Sequence, residues 1–415
     1  MLGDWQSPVM VVLWGLIDPV APGAGSMFLL IATSYWLGFG ILALALARGS
    51  TWLALLLPLL ALTPPAFVFV GIIWRDILFA TAWLLAAAII FAVSGSDARL
   101  RVPVQVLAIV LCALGVLLRP NALIAAPILA AYIVWPTQTS FKRMVILFVP
   151  AVVGFFALVQ VTYYVALGAT RQHPLQSIMV FDLGGISHFT RQNQFPVDWS
   201  ESESVQLLNT CYQPTQWDIY WRLEPCDFVM RKVEREQKLF GTPAIVQAWA
   251  NAVTRHPLAY VQHRAAFMWN FLSGNNSMMW LADVERPTEN VFLDRPAFVA
   301  LVRLHDKLKP TPLFRAGPWL LACGIVCVFA WRRRETPEAA FALGVCGSAA
   351  VYVLTFVAVG VASDFRYAYW GVLAGIVGGA VVGSGRPHPR VLGDGGDRRL
   401  SSTPAAHDIL QRVID

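Results

Sequence analysis

The chain is poor in charged side chains for its length. Only 13% of its 415 residues are Asp, Glu, Lys or Arg, whereas 57% are hydrophobic. Soluble globular domains carry roughly 25% charged residues, because water must solvate their surface. A water-soluble fold is therefore excluded, and lipid is the solvent that accepts such a surface. We predict a polytopic membrane protein.

The sequence also lacks the short motifs of several enzyme classes. It contains no Gly-rich phosphate loop, no His-Glu-x-x-His zinc motif and no Gly-x-Ser-x-Gly nucleophile elbow. Its seven histidines are scattered, so no zinc site is expected. The formal charge of +6 lies in short loops between apolar runs, as the positive-inside rule expects. We therefore predict no nucleic-acid partner.

Apolar runs of about 17 to 25 residues, the length that crosses a bilayer, set the predicted topology. Basic residues at 99–101, 142–143 and 332–334 adjoin such runs and mark the cytoplasmic side. The turns at 119–121 and 363–367 are then external. The predicted spans are Ser26–Ala47, a Pro-broken span from Trp52, Ile77–Val93, Val104–Leu118, Ala122–Trp135, Met144–Leu167, Phe314–Trp331, Ala339–Val361 and Trp370–Val382.

Four regions follow from this topology. Residues 1–167 form an N-terminal transmembrane region, residues 168–313 an extracytoplasmic domain and residues 314–382 the C-terminal transmembrane helices. Residues 383–415, rich in Gly, Pro, Arg and Ser, are expected to form a disordered cytoplasmic tail. Amphipathic stretches of the external domain, such as Pro257–Phe271, are expected at the membrane surface.

The cysteines provide a separate indication of orientation. Four of them lie within apolar spans, where a free thiol behaves as a small hydrophobe: Cys112, Cys323, Cys327 and Cys346. Cys211 and Cys226 alone fall in the polar external region. We predict that they form a disulfide in an oxidising compartment. Two reduced thiols in a cytoplasmic domain would require every basic loop to be inverted.

Two acids stand at the ends of apolar runs on the predicted external side. Asp4 lies in the run Gly3–Pro8, and Asp76 follows Arg75 where a new apolar stretch begins. A carboxylate at the water-facing rim of a hydrophobic bundle is a candidate functional group, so we expect the two acids to share a site. The alternatives are that Asp4 is only an exposed terminal residue and that Asp76 pairs with Arg75 and caps a helix.

The N-terminus conflicts with this orientation. The start Met1-Leu2-Gly3-Asp4 has no basic n-region and no apolar h-region, so no signal peptide carries Asp4 outside. We expect that the true start lies upstream and that a first helix precedes Met1. The alternative is that a short N-terminus crosses the membrane unaided.

Three patterns, taken in order, resemble the GT-C superfamily of membrane glycosyltransferases. They are an external acid followed by Ser-Pro and an amphipathic helix (4–14), a second external Asp opening a later span (75–79), and a Leu-Arg-Pro-Asn turn (118–121). The resemblance is to the branch of protein mannosyltransferases and lipid A aminoarabinose transferases. It covers about Gly3 to Trp135 and, more loosely, the turn 364–367.

The resemblance implies an all-α polytopic membrane protein. Its transmembrane helix bundle is expected to be GT-C-like, with an extracytoplasmic, mainly helical domain between its membrane halves. The implied location is the inner (cytoplasmic) membrane of a bacterium, with the active site facing the periplasm.

The resemblance also implies transfer of a sugar from a polyprenyl-phosphate carrier in the membrane lipid to a glycan, lipid or protein acceptor. Asp4 would be the general base. Asp76 would orient hydroxyl groups or hold a divalent cation, Mg²⁺ or Mn²⁺, and no other cofactor is expected. Arginines at the same rim would bind the phosphate. The implied substrate-binding residues are Arg75, Arg119, Asn121, Asp364, Arg366 and Tyr367.

Other interpretations remain open. Arg119 and Arg366 could snorkel to the headgroups, and Asp364 could simply pair with Arg366. A lipid or glycan transporter would carry its polar residues at mid-bilayer, in broken helices or repeats. A noncatalytic envelope scaffold would tolerate changes of Asp4 and Asp76. The charges gather at one rim and the span interiors are nearly free of ionisable residues, which favours surface chemistry.

Overall fold

The computed structural model describes the chain in five stretches, and all of them are helical. The described residues are 2–47, 49–138, 140–222, 224–274 and 295–384. Almost all of the predicted tail 383–415, and residues 275–294 of the predicted extracytoplasmic domain, therefore lie outside the described residues. Within those five stretches there is no β-strand, only isolated bridges from Gly3 to Thr170 and from Gln216 to Ala362.

The described residues contain seventeen α-helices, numbered in chain order. In the first half they are α1 (Pro8–Ile17), α2 (Ala24–Ala47), α3 (Thr51–Ala61), α4 (Pro64–Phe67), α5 (Arg75–Val93), α6 (Ala98–Leu118), α7 (Ala126–Val134) and α8 (Phe141–Gln160). In the second half they are α9 (Leu175–Thr190), α10 (Glu201–Thr210), α11 (Phe228–Met230), α12 (Pro243–Arg255), α13 (Pro257–Ser273), α14 (Pro296–Leu308), α15 (Ala316–Trp331), α16 (Pro337–Val359) and α17 (Tyr369–Gly383).

Six helical segments are long and apolar enough to cross a bilayer. They are α2, α5, α6, α8 with its extension to Ala166, α16, and Phe365–Gly383. A seventh span results if α3 and Pro64–Gly71, which are bent by 59° at their junction, are counted as one. The prediction of a multi-pass, all-helical membrane protein is confirmed for the described residues.

The predicted span Ala122–Trp135 is shorter than expected. A 3₁₀ turn, Pro120–Ile124, precedes α7, which has only 9 residues. At 1.5 Å per residue α7 rises about 14 Å, against roughly 30 Å for a hydrocarbon core. Pro120 and Pro127 account for the break, because each lacks a backbone N–H and restricts the residue before it.

Helix α5 lies at the centre of the bundle. Of its apolar window 78% is buried, and it packs against α2, α6, α16 and α17. Helix α8 is the opposite case, because only 6% of its window is buried. Its apolar side chains, such as Val149 and Phe156, are exposed and face the lipid.

The helices after α8 pack on one another and on the membrane helices. Helix α9 packs against α12 and α13, and α13 also packs against α15 and α16. One face of α13 buries His263, Arg264 and Phe267, while Leu258 and Trp269 stay exposed on another. The stretch predicted at the membrane surface thus has one side buried against protein and an apolar side exposed.

Candidate functional site

The predicted external turns meet at one end of the bundle. The start of α5, the residue after α6, the last turns of α16 and the turn before α17 are in contact there. We call the side chains gathered at this point the rim cluster: Arg75, Asp76, Arg119, Asn121, Tyr352, Asp364, Arg366 and Tyr367. All of them except Tyr352 were predicted from the sequence as site residues.

Asp76 and Arg119 form a buried ion pair within the rim cluster. Oδ1 of Asp76 lies 3.0 Å from Nε of Arg119, and their side chains are 7% and 9% exposed. Arg119 Nε also donates to the Tyr352 hydroxyl at 3.4 Å, and its guanidinium lies 5.0 Å from the centroid of the Tyr367 ring. Arg119 is therefore enclosed by protein instead of snorkelling to the headgroups.

Helix geometry places both members of this pair. Asp76 lies in the first turn of α5, where the helix dipole favours an acid. Arg119 precedes Pro120, which disfavours the helical conformation in the residue before it, and Arg119 accordingly has φ −135° and ψ 87°. Helix α6 thus ends where a cation is favourable next to its terminal carbonyl groups.

Arg366 is held on three sides. Its Nε lies 3.3 Å from Oδ2 of Asp364, and its Nη2 donates to the Tyr367 hydroxyl at 3.1 Å. The guanidinium lies 4.1 Å from the centroid of the Trp74 ring, within range of a cation–π interaction. These contacts fix the orientation of the guanidinium plane.

Arg75 differs from the other two arginines of the cluster. Its Nη1 donates to the Trp5 carbonyl at 3.3 Å, and no carboxylate of the described residues forms an ion pair with it. It lies within electrostatic range of Arg119 and of Asp76. Two guanidinium groups in one low-dielectric site repel each other, and a bound anion relieves that repulsion. Arg75 and Arg119 are therefore suited to hold a phosphate.

Asp364 is a buried carboxyl group, with 6% of its surface exposed. Burial raises the pKa of Asp364 to about 6, although the nearby Arg366 guanidinium opposes this shift. Oδ1 of Asp364 accepts a hydrogen bond from the Arg366 backbone N–H at 3.0 Å. A carboxylate with a pKa near neutrality is suited to accept a proton at physiological pH.

Some polar atoms of the rim cluster are buried without an aligned hydrogen bond. Among the described residues this holds for Oδ1 of Asp76 and Nε of Arg366, although each has its ion-pair partner nearby. Buried polar groups in native proteins are nearly always hydrogen-bonded, and here the opposite charge of an ion-pair partner compensates each of the two atoms.

Asp4 lies next to the rim cluster, in separate contacts. Its carboxylate accepts hydrogen bonds from the Tyr164 hydroxyl at 2.7 Å and from the Gln172 backbone N–H at 2.6 Å. The following residue, Trp5, offers its carbonyl oxygen to Arg75. Asp4 thus fastens the N-terminal segment to the chain after α8, and the catalytic role expected for it stays a prediction.

The segment before Asp364 is held by residues of the predicted extracytoplasmic domain. Nη1 of Arg264 donates to the Gly360 carbonyl at 2.6 Å. Backbone hydrogen bonds of 2.8 and 2.9 Å pair residues 215–217 with residues 361–363. The position of Asp364 and of the residues that follow it therefore depends on packing outside the bundle.

The fully buried carboxylate of Asp182 holds Arg264 in turn. Oδ1 of Asp182 lies 2.6 Å from Nη2 of Arg264 and 3.3 Å from Nε2 of His263, while its Oδ2 accepts from Trp249 Nε1 at 2.8 Å. Burial lowers the pKa of His263, which favours the neutral imidazole. Nδ1 of His263 lies 3.1 Å from the Tyr212 hydroxyl. No local pattern in the sequence indicates that these five side chains meet.

Cys211 and Cys226 form the predicted disulfide, with their Cα atoms 5.4 Å apart. The bridge closes the loop that carries Tyr212 and residues 215–217. The bridge therefore constrains residues 215–217, which pair with residues 361–363. The four cysteines predicted in apolar spans are free, as expected.

The rim cluster offers limited support for a metal ion. Within the described stretches, no group of three or more His, Cys, Asp or Glu side chains could hold one. Asp76 and Asp364 are each paired with an arginine, so a divalent cation would compete with a guanidinium for the same oxygens. The predicted Mg²⁺ or Mn²⁺ stays a prediction.

Comparison with known proteins gives no relative: no protein-family model, no curated protein and no solved structure matches the chain.

Proposed function

We propose that this protein is a membrane glycosyltransferase that moves a sugar from a polyprenyl-phosphate carrier to a glycan, lipid or protein acceptor at the outer face of a bacterial inner membrane. The proposal includes a GT-C-like arrangement of the bundle. One observation carries most of its weight: three guanidinium groups and two carboxylates from separate chain segments converge at one end of an otherwise apolar bundle.

This arrangement suits a lipid-linked phosphate donor. The carrier's chain stays in the bilayer, while its phosphate reaches the end of the bundle where the arginines lie. Arg75 lacks a carboxylate partner among the described residues, and Arg119 lies near it, so the two could form forked hydrogen bonds to phosphate oxygens.

The proposed reaction is a substitution at the anomeric carbon of the sugar. The acceptor oxygen forms the new bond to that carbon, and the bond from the carbon to the phosphate oxygen breaks. The phosphate leaves with the bonding electron pair, and Arg75, Arg119 and Arg366 stabilise its charge. A carboxylate takes the proton of the acceptor hydroxyl as general base.

Three carboxylates compete for the role of base. Asp4 was expected to act so, but both of its oxygens accept hydrogen bonds that anchor the N-terminus. Asp76 is engaged by Arg119. Asp364 is also engaged, because Arg366 contacts both of its oxygens. Its pKa, raised to about 6, nevertheless makes it the best matched of the three to proton transfer near neutral pH. We therefore assign the base role to Asp364, and an orienting role for hydroxyl groups to Asp76.

The test is sugar transfer by purified protein in lipid vesicles, from a panel of radiolabelled polyprenyl-phosphate sugars. Asp4→Asn, Asp76→Asn and Asp364→Asn are compared with wild type at equal protein. Asp97→Asn is the matched control, because Asp97 is exposed and lies beyond the far end of α5. We expect losses of at least about a hundredfold for Asp76→Asn and Asp364→Asn, and none for the control.

Other outcomes would favour other functions. Transfer that survives both rim substitutions would remove the proposed site. If no donor supports transfer, but vesicles accumulate or flip a lipid-linked sugar, the transporter alternative is preferred. Absence of both activities would favour an envelope scaffold.

A further inference from the structure

An apolar crevice opens between α7, α8, α15 and α16. Its volume is about 280 Å³. This is close to the lower end of small-ligand pockets, roughly 300 to 1,000 Å³, and large for a close-packed bundle. Residues that line it include Ile128, Tyr132, Trp135, Met144, Trp331 and Gly347.

The crevice is built to receive hydrocarbon. Apart from Gln138, Ser140 and the tyrosine hydroxyl, its lining consists of apolar or aromatic side chains and glycines. It adjoins α8, whose apolar window is almost entirely exposed to the surroundings. A Cβ atom added at Gly347 would meet only Cγ2 of Ile128, at 3.4 Å. A Cβ atom is therefore accommodated at Gly347 in ordinary van der Waals contact with Ile128.

Cations surround one end of the crevice. The Arg143 guanidinium lies 5.7 Å from the ring centroid of Trp135, and the Arg334 guanidinium lies 5.4 Å from that of Trp331. Both tryptophans line the crevice. Lys142 is exposed beside Arg143 in the first turn of α8, and Arg332 and Arg333 are exposed in the turn between α15 and α16. The acids near these cations in the sequence are Glu335 and Glu338, so positive charge predominates.

We propose that this crevice binds an anionic phospholipid, with one acyl chain in the crevice and the phosphate headgroup at Arg143 and Arg334. Basic residues beside a gap between transmembrane helices are a recognised setting for anionic headgroups. The end in question carries the basic loops that the positive-inside rule places in the cytoplasm, where the leaflet is rich in anionic lipid. The lipid would brace α7 and α8 against α15 and α16.

A polyprenyl chain is the competing occupant, but its phosphate would have to lie at the opposite end. The proposed donor phosphate binds at the rim cluster, which α16 reaches through Tyr352, whereas these cations adjoin the first turns of α8 and α16. Charge complementarity at the basic end therefore favours a phospholipid of the inner leaflet.

Native mass spectrometry of the full chain, released from detergent, tests the proposal. Phosphatidylglycerol and phosphatidylcholine with identical acyl chains are added in equal amounts. We expect retention of phosphatidylglycerol over phosphatidylcholine by about tenfold, and loss of that preference in Arg143→Gln/Arg334→Gln. The matched control, Arg99→Gln/Arg101→Gln, removes two cations from the first turn of α6, which does not line the crevice, and should keep the preference.

Gly347→Leu fills the crevice without removing charge and should reduce retention of both lipids. Its folding is checked by its melting temperature, and the arginine variants test the proposal even if Gly347→Leu fails to fold. Equal retention of the two lipids by wild type would overturn the proposal. So would equal loss of preference in both arginine double variants, or displacement of phosphatidylglycerol by polyprenyl phosphate at this crevice.

Discussion

Oδ1 of Asp76 lies 3.0 Å from Nε of Arg119, and this buried pair joins the start of α5 to the end of α6. Tyr352 of α16 and Tyr367 before α17 complete the enclosure of the Arg119 guanidinium. Four segments that are distant in sequence therefore share one charged centre. Charged groups held by protein contacts in this way meet the condition for electrostatic stabilisation of a leaving phosphate.

The Asp76–Arg119 pair should show strong energetic coupling. Asp76→Asn or Arg119→Gln leaves the other side chain charged and buried without its partner, at a cost of about 3 to 5 kcal/mol in the free energy of unfolding. The double variant should lose less than the sum of the two single losses. Denaturant unfolding in detergent micelles measures this difference, and strictly additive losses would show that the two charges do not interact.

Asp364 should make stability depend on pH. Its pKa is raised from the ordinary 3.8 to about 6 in the folded protein, beside Arg366, Asp76 and Arg119. Between these two values the folded state binds more protons than the unfolded state, so the contribution of this group to stability falls as pH rises to about 6. The melting temperature of Asp364→Asn should lack this component. Identical pH profiles for wild type and variant would contradict the assignment.

Arg264 should affect the rim cluster by positioning the segment that carries Asp364. Arg264→Lys keeps the charge but loses the fork that joins Asp182 to the Gly360 carbonyl. The segment that begins at Gly360 should loosen, and sugar transfer should fall by roughly tenfold, or about 1.4 kcal/mol in the barrier. Asp364 should also become less buried, so the pH midpoint of transfer should move below about 6.

Trp249→Phe is the matched control for this prediction. It removes the hydrogen bond to Oδ2 of Asp182 and leaves the Arg264 contacts in place. We expect a lower melting temperature with an unchanged pH midpoint. If Trp249→Phe and Arg264→Lys shift the midpoint equally, Arg264 has only a general structural role.

The Cys211–Cys226 disulfide should support the same segment. Its loss opens a loop with a sequence separation of 15 residues, worth about 3 kcal/mol in a chain-entropy treatment. The variant Cys211→Ser/Cys226→Ser should melt at lower temperature and transfer sugar more slowly. Reductant should lower the melting temperature of wild type and leave that of the double variant unchanged. A reductant effect of equal size on both proteins would place its origin elsewhere.

The rim residues could be predicted from the sequence because successive membrane spans run in opposite directions. Every second turn therefore lies at the same end of the helix bundle. Asp76, Arg119 and Arg366 each adjoin an apolar run, and basic loops mark the other ends. Their convergence follows from antiparallel packing around α5. The pairing of Cys211 with Cys226 could be predicted because no other cysteine lies outside an apolar run.

Other parts of the site could not be predicted, because they depend on tertiary packing. Tyr352 lies inside an apolar span, where a tyrosine gives no local signal of an arginine partner. Asp182 and Arg264 meet across α9 and α13, and only their complete burial distinguishes them from surface charges. The length of the helix at 122–135 was overestimated, because the composition of this stretch is apolar although two prolines limit the length of α7.

The most direct test of the proposed phosphate site is equilibrium binding of a polyprenyl phosphate to the purified protein, since this measurement requires neither the sugar nor the acceptor to be identified. Wild type is compared with Arg75→Gln and with Arg99→Gln at the other end of the bundle. We expect that Arg75→Gln raises the dissociation constant by about tenfold or more, that Arg99→Gln leaves it unchanged, and that the uncharged polyprenol binds much more weakly. Equal binding by all three proteins, or equal binding of the phosphate and the alcohol, would contradict it.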